Sequence, residues 1–470
     1  MKLKFTRFLI SMALLAMPLV SFSAQPKRLL LVTATRGFRH SSIPIATKVI
    51  TRLGQESGAF TVDLVTGGPN GRGTEGFDKM SPENLKNYDG AIFVSTTGTL
   101  PIPNRRAFIR WIRSGKAFIG MHAAADTFDH PAHVFPGYTR MLGAQFRTHH
   151  TQATVHCIVE DPTFPGLADL GHTWTVHDEI YLFWPWSFHL NRVHQLLWLD
   201  QHPNTGQPGE FPVAWCKRFG RGRVFYISLG HRRDVWDPNW TYGNGNRENP
   251  PAVAQAYQKV ILGGIKWALG LEPGSAKPQS TVYHVSADEA AEGFKPLFDG
   301  TDLDGWRLRN PDKPSWSVQN GMLVNTASHH GQGSDLVTDQ KYWNFTARYE
   351  YMIPKGSNSG FYLRGRHEVQ ILDDGDATEP SRTSNGSIYN YAAPSQEVSK
   401  KPGHWQTVEA TIIGHKVTVI LNGVKIIDNL TVDRPTGGQL DNNIDEPGSI
   451  FLQGDHGAVA FRDMRIKILP

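Results

Sequence analysis

The chain has 470 residues, 39% of them apolar and 19% charged, with a formal net charge of +5. Single hydrophobic cores stop growing at roughly 250–300 residues, so this length calls for two domains. The Lys and Arg residues form no basic block, and no run of about 20 apolar residues follows the extreme N-terminus, which argues against a nucleic-acid partner and against a transmembrane anchor in the mature chain.

Lys2, Lys4 and Arg7 precede an apolar stretch from Phe8 to Val20 and the small residues Ser21 and Ser23. This order predicts a secretory signal over residues 1–23, cut after Ser23 or Ala24, and therefore a periplasmic or secreted protein. The stretch is shorter than the roughly 20 residues a membrane span needs. Cys157 and Cys216 are the only cysteines; in an oxidising compartment one disulfide and two buried free thiols are both open.

Strand and helix patterns alternate over residues 27–270. Leu29 to Thr33, Thr61 to Val65, Ala91 to Val94 and Ala117 to Gly120 read as buried strands, and helical stripes fall on Ile45, Val49 and Leu53 and on Phe108, Ile109 and Ile112. Such alternation predicts an α/β domain with a mostly parallel sheet, whose ligands sit beyond the carboxyl ends of the strands. Histidines cluster where such ends fall: His40 after the first strand, His122 and Asp126 after Phe118-Ile119-Gly120, then His149-His150, His177-Asp178-Glu179 and Gly230-His231-Arg232. Neutral imidazole is a metal ligand or a proton shuttle near pH 7, and a carboxylate beside it fixes its tautomer. No spacing such as H-E-x-x-H accompanies them, so surface or capping histidines are the plainer reading of the pattern.

Residues 271–293, with Pro273, Gly274, Ser275, Pro278 and Ser280, read as a linker. Over 294–470 the texture changes to short strands of period two. Trp343, Phe345, Ala347, Tyr349 and Tyr351 alternate with polar residues, and Asn422-Gly423 marks a hairpin. An all-β jelly-roll sandwich is expected. Read as one strand, Phe361 to Leu372 puts Tyr362, Arg364, Arg366, Glu368 and Gln370 on one face. That face is either solvated surface or a concave ligand surface; a sugar site needs such a mixture of Arg, Gln, aromatic ring and carboxylate.

The histidine-bearing segments of residues 27–270 resemble the trehalose-utilisation (ThuA-like) family, which implies a flavodoxin-like fold of the class I glutamine amidotransferase type. That fold carries a Cys on the tight turn after a central strand; the turn here reads Gly120-Met121-His122, and neither cysteine is near it, so thiol-based amidotransfer is not expected. The resemblance makes His40, His122, Asp126, His177, Glu179 and His231 the pocket residues, without fixed roles. Phe298-Asp299-Gly300-Thr301-Asp302-Leu303-Asp304-Gly305-Trp306, Asn358-Ser359-Gly360-Phe361-Tyr362-Leu363-Arg364-Gly365 and Leu452-Gln453-Gly454-Asp455-His456-Gly457 resemble the 3-keto-disaccharide hydrolase family, a concanavalin-like jelly roll.

This second resemblance implies cleavage of 3-keto-glycosides by elimination and hydration, because a C3 ketone acidifies the C2 proton. The likeness makes Glu368, His456 and Asp373 the catalytic candidates, with Arg364, Arg366, Gln370 and Tyr362 on the sugar. A divalent metal ion of unassigned identity is an expected cofactor and a nucleotide is not; the expected partner is a small carbohydrate, and the oligomeric state is unassigned. A jelly roll that only binds carbohydrate and tethers the first domain to glycans, or a first domain with a structural role alone, remain the alternatives.

Overall fold

The computed structural model describes residues 25–129, 135–374, 377 and 379–470. The signal expected over residues 1–23 lies outside them.

The first domain contains β1 (Lys27–Val32), β2 (Phe60–Val65), β3 (Gly90–Val94), β4 (Ala117–Met121), β5 (Phe146–His149), β6 (Ala153–Val159), β7 (Thr173–Asp178), β8 (Tyr181–Phe183), β9 (His194–Gln201), β10 (Pro208–Phe219) and β11 (Gly222–Ile227). Nine of them form one sheet in the order β2-β1-β3-β4-β11-β10-β9-β6-β7, and β5 pairs with β8 as a separate ribbon. β3 and β4 are buried throughout, which is why they read as unbroken apolar runs. Successive residues of one strand supply opposite cores: Leu29 and Leu31 face one helical layer, Leu30 and Val32 the other. Helix Ile43–Ser57 packs on the sheet through Ala46, Val49, Ile50 and Leu53; Pro44 opens its first turn, and Gly58 at φ 62° ends it.

The expected mostly parallel sheet is parallel only from β2 to β11; β10, β9, β6 and β7 run antiparallel to their neighbours. The cause is the connection between β10 and β11, where Phe219 pairs with Gly222. Only Gly220 and Arg221 lie between them, and a two-residue turn can join only antiparallel strands.

The second domain is a sandwich of thirteen strands: β12 (Phe294–Pro296), β13 (Trp306–Leu308), β14 (Trp316–Gln319), β15 (Met322–Asn325), β16 (Leu336–Tyr342), β17 (Phe345–Met352), β18 (Asn358–Leu363), β19 (His367–Leu372), β20 (Gln406–Ile413), β21 (Lys416–Leu421), β22 (Val424–Thr431), β23 (Gly448–Leu452) and β24 (Val459–Ile468). One sheet runs β14-β15-β24-β17-β20-β21-β22, with β12 on β24; the other runs β13-β16-β23-β18-β19. Their facing residues form the core, and Tyr349 of the first sheet stacks on Phe361 of the second at 4.1 Å. Asn422 at φ 52° and Gly423 at φ 82° make the hairpin between β21 and β22 that the sequence marks.

The strand expected from Phe361 to Leu372 is a hairpin. Arg364 at φ 55° and Gly365 at φ 70° turn the chain between β18 and β19. The register pairs Tyr362 with Glu368 and Gly360 with Gln370, so even-numbered residues keep one face through the turn. Period-two alternation therefore passes across the break without a signal.

The segment over 271–293 is not a free tether. The Lys277 carbonyl lies 2.6 Å from Nδ1 of His194, Gln279 bonds the backbone of Gln195 in both directions, and Ala287–Ala291 is a short helix capped by Ser286. The domains meet over Trp198, Met322, Val324 and Ala460, flanked by the Trp405 indole donating to Asp200 at 2.7 Å.

Cys157 and Cys216 are both buried and free, and burial pushes the Cys157 thiol up to about 12. A thiol so buried and so weakly acidic is unreactive. Titration with an aromatic disulfide reagent, without reductant, is expected to find no reactive thiol in the native protein and two after denaturation. Fewer than two in the denatured protein would contradict the free pair.

Candidate functional site

In the first domain, residues from four chain segments converge. His122 follows β4 directly, on a tight turn, and has φ 50°. A non-glycine residue in that region is strained and persists only where the surroundings fix it. Here the His122 ring lies 4.4 Å from that of Tyr181, and its Nδ1 is 2.7 Å from the Ser228 carbonyl. A carbonyl can only accept, so Nδ1 carries the proton and the Nε2 lone pair points away. His40, from the loop after β1, lies edge-on to His122 at 4.6 Å, and His231, from the loop after β11, is 5.4 Å from His40. Glu179 completes the group: its Oε2 is 3.5 Å from His122 Nε2 and 3.2 Å from His231 Nδ1, and its Oε1 is 3.2 Å from His149 Nδ1.

Asp178 holds Glu179 and His231 together. This fully buried carboxylate accepts the amide N–H of Glu179, Gly230 and Arg232 at 2.9, 2.7 and 3.0 Å. Burial raises Asp178 to about 6, against the pull of those amides. Burial and the neighbouring His231 lower His40 to about 4, and burial drives His122 well below the usual imidazole value. Burial opposes the charge on His231 as well, but there the Glu179 carboxylate wins and raises it. The donor atoms of His40, His122, Glu179 and His231 all lie within 4.8 Å of one another, a set able to hold a metal ion.

In the second domain, the outer face of the five-stranded sheet carries Glu368, which is 3% exposed. Burial, then the charges of Asp335 and Asp455, raise its carboxyl to about 8 in spite of the Tyr362 hydroxyl 2.7 Å away. That hydroxyl is also 2.9 Å from the Gly437 carbonyl. Tyr362 has one proton, so with Glu368 protonated it donates to Gly437 and accepts from Glu368. A Cβ at 360 would collide with Glu368 Oε1, so a side chain there would push the carboxyl aside. Glycine there lets the carboxyl lie across β18 toward β23. Along the same row, Gln453 is 7% exposed and leaves its amide oxygen without a partner. Asp335 bonds the Gly454 amide at 3.0 Å and Arg309 at 3.3 Å. At the rim, Asp455 is in hydrogen-bond contact with Nδ1 of His456, and His330 Nε2 lies 3.8 Å from its second oxygen. His330, Asp455 and His456 form a second group with donor atoms within 4.8 Å.

The other expected site residues, Gln370 excepted, lie elsewhere. Asp126 is outside the histidine group; burial and neighbouring Asp129 hold its carboxyl up. His177 bonds Thr154 at the protein surface, 2.9 Å away. Arg364, on the turn, is 1% exposed, donates to the Trp343 carbonyl at 2.7 Å and lies 3.6 Å over the Trp343 ring. Arg366 is spent on Asp441 and the Glu446 carbonyl, both at 2.6 Å. Asp373 accepts the Gly356 amide at 2.7 Å in a loop beyond the end of β19. Gln370 stays on the face of Glu368, beside Gly360. The reading of the sequence missed Asp335 and Arg309. Asp335 immediately precedes β16, but its nearness to Glu368 depends on that strand and β18 both pairing with the distant β23.

Comparison with known proteins agrees with this division. The trehalose utilisation (ThuA) family profile matches residues 28–268, and that of the 3-keto-alpha-glucoside-1,2-lyase-like domain matches residues 293–467. A curated relative, the 3-keto-disaccharide hydrolase of Bacteroides thetaiotaomicron, is 27% identical over 233 residues, covering 38% of this chain and 79% of that protein. A crystal structure from Parabacteroides distasonis, provisionally described as a glycosyl hydrolase, is 28% identical over 38% of this chain and 84% of its own, with a TM-score of 0.32. A structure from Bacteroides uniformis, provisionally described as ThuA-like, is 20% identical over 56% of this chain and 98% of its own, with a TM-score of 0.41. The first profile spans just over half of the residues, and the chain belongs to the trehalose utilisation (ThuA) family, with a 3-keto-alpha-glucoside-1,2-lyase-like domain behind it.

Proposed function

We propose that the protein is exported and that its second domain hydrolyses the glycosidic bonds of 3-keto-glycosides. The kinship supports a carbohydrate hydrolase-like role; the keto-sugar substrate rests on the name of a relative and on the chemistry of the face described above. The observation that carries the reading is the Glu368 carboxyl, buried beside Tyr362 and protonated at neutral pH. A neutral carboxyl is an acid suited to an alkoxide leaving group.

In the sequence proposed, His456, oriented by Asp455, removes the C2 proton of the sugar, and the electron pair moves onto the C3 carbonyl oxygen as an enolate. Arg309, paired with Asp335 on this face, offsets that charge. The enolate collapses to a C1–C2 double bond, the C1–O bond breaks, and the departing oxygen takes the Glu368 proton. Water then adds at C1 and gives a proton to Glu368, while His456 returns its proton to C2. Net hydrolysis needs no oxocarbenium ion, unlike the usual pair of flanking carboxylates.

With purified protein and 3-keto-trehalose, released sugar is expected, with none from unoxidised trehalose. Glu368→Gln is expected to keep sugar affinity and lower turnover by about two orders of magnitude or more. Binding without release in the wild type, or undiminished turnover in the variant, would show a lectin-like domain instead.

The pH dependence follows from the direction of the Glu368 shift. Its carboxyl is neutral below about 8 and ionised above it, so turnover is expected to fall as pH rises through that value. A flat profile across pH 7 to about 9.5 would remove Glu368 from the acid role.

Gly360→Ala tests the positioning. The new Cβ displaces the carboxyl while leaving the sheet paired, so kcat is expected to drop and the alkaline limb to move. A variant with an unchanged limb and an unchanged kcat would show that the lean of Glu368 over β18 does not matter.

A further inference from the structure

The hydrolase chemistry leaves the histidine group of the first domain unused, and its polar atoms are unusual. His40 Nδ1 and His122 Nε2 are buried without hydrogen-bond partners, and His231 Nδ1 has only the Glu179 carboxylate, 3.2 Å away. Buried polar atoms left unpaired are costly, and two within one cluster call for a common partner. The tautomer fixed at His122 by the Ser228 carbonyl excludes a donor role for Nε2, so what it lacks is an acceptor of its lone pair. Around a zinc-like ion with bonds of about 2.0–2.1 Å, tetrahedral ligand atoms stand about 3.3 Å apart. The measured separations from Glu179 Oε2, 3.5 Å to His122 and 3.2 Å to His231, match that edge. His149, on the other Glu179 oxygen, is placed to orient the carboxylate, as partners of ligating carboxylates commonly do.

One wall of this group is open. His231 also lines a cavity of about 260 Å³ with Ser41, Gln152, Arg233, Trp240 and Tyr242. Aromatic rings beside hydroxyl, amide and guanidinium groups suit the apolar faces and hydroxyls of a sugar. We infer that the first domain is a second reactive centre, holding a divalent transition-metal ion on His40, His122, His231 and Glu179 and taking a polyhydroxy ketone through two adjacent oxygen atoms. The keto-sugar class rests on the function proposed for the second domain; the metal set does not.

The full-length protein, stripped with chelator, is titrated with Zn²⁺ and, separately, Co²⁺. The wild type is expected to bind one more equivalent than His122→Ala or His231→Ala, with loss of affinity on the order of 100-fold in either variant. His231 is partly exposed, so that variant keeps the test open if His122→Ala fails to fold, and circular dichroism checks both. Glu368→Gln is expected to bind metal as the wild type does. Addition of dihydroxyacetone is expected to shift the Co²⁺ absorption bands of the wild type but not of His231→Ala. Equal metal uptake by wild type and His231→Ala overturns the centre. Bands indifferent to the hydroxy ketone overturn the ligand assignment alone. A wild type that binds metal in this way and leaves 3-keto-glycosides intact would sink the hydrolase reading and not this one.

Discussion

Asp178 is the constraint on which the first domain's site depends. It is fully buried at the end of the last strand of the sheet, and its two oxygens accept three backbone amides from two separate segments. A buried carboxylate is tolerated only when its lone pairs are met. Meeting them forces the end of β7 against the loop after β11, which brings Glu179 and His231 to the histidines behind β1 and β4. Asn249 ties the same strand from outside, through both the amide and the carbonyl of His177. The sheet's far, antiparallel half thus curls back to close the pocket that the parallel half opens.

The second domain is closed by a comparable device of opposite charge. Arg366 leaves the hairpin turn and binds Asp441 and the Glu446 carbonyl, while Thr436 and Leu440 bond the backbone of Arg366 and Gly365. The loop so anchored sets the Gly437 carbonyl on the Tyr362 hydroxyl and the Thr436 hydroxyl on the Glu368 amide. The raised Glu368 carboxyl is therefore a product of loop packing as much as of the strand that bears it.

The sequence made parts of this legible for identifiable reasons. β3 and β4 are buried on both faces and leave plain apolar runs, and Asn422-Gly423 names its own turn because few other pairs accept two positive φ values. His40, His122 and His231 stand after strands, where the pattern marks them, but it is the family likeness that singles them out together with Glu179. Asp126 shares the His122 segment but not its direction, since that segment is a 3₁₀ turn of about three residues per turn, in which positions four apart diverge. His177 and Glu179 do not share a face, because β7 ends between them at Asp178. Arg364 and Arg366 looked like ligands only while β18 and β19 read as one strand. Asp335 was out of reach, since no local pattern encodes which distant strands become neighbours.

The backbone at His122 has a wider meaning. The turn holds a left-handed residue at the end of a fully buried strand, with Tyr226 hydroxyl bonding the His122 carbonyl at 2.7 Å. The geometry is held by the surrounding core, through the Tyr226 bond to the backbone and the Tyr181 and Ser228 contacts of the ring. Such a turn is a mount rather than a reagent. A thiol set there would present a nucleophile; an imidazole set there presents a lone pair. The residue on that mount thus decides which reactive group the pocket receives, while the sheet that carries it stays the same.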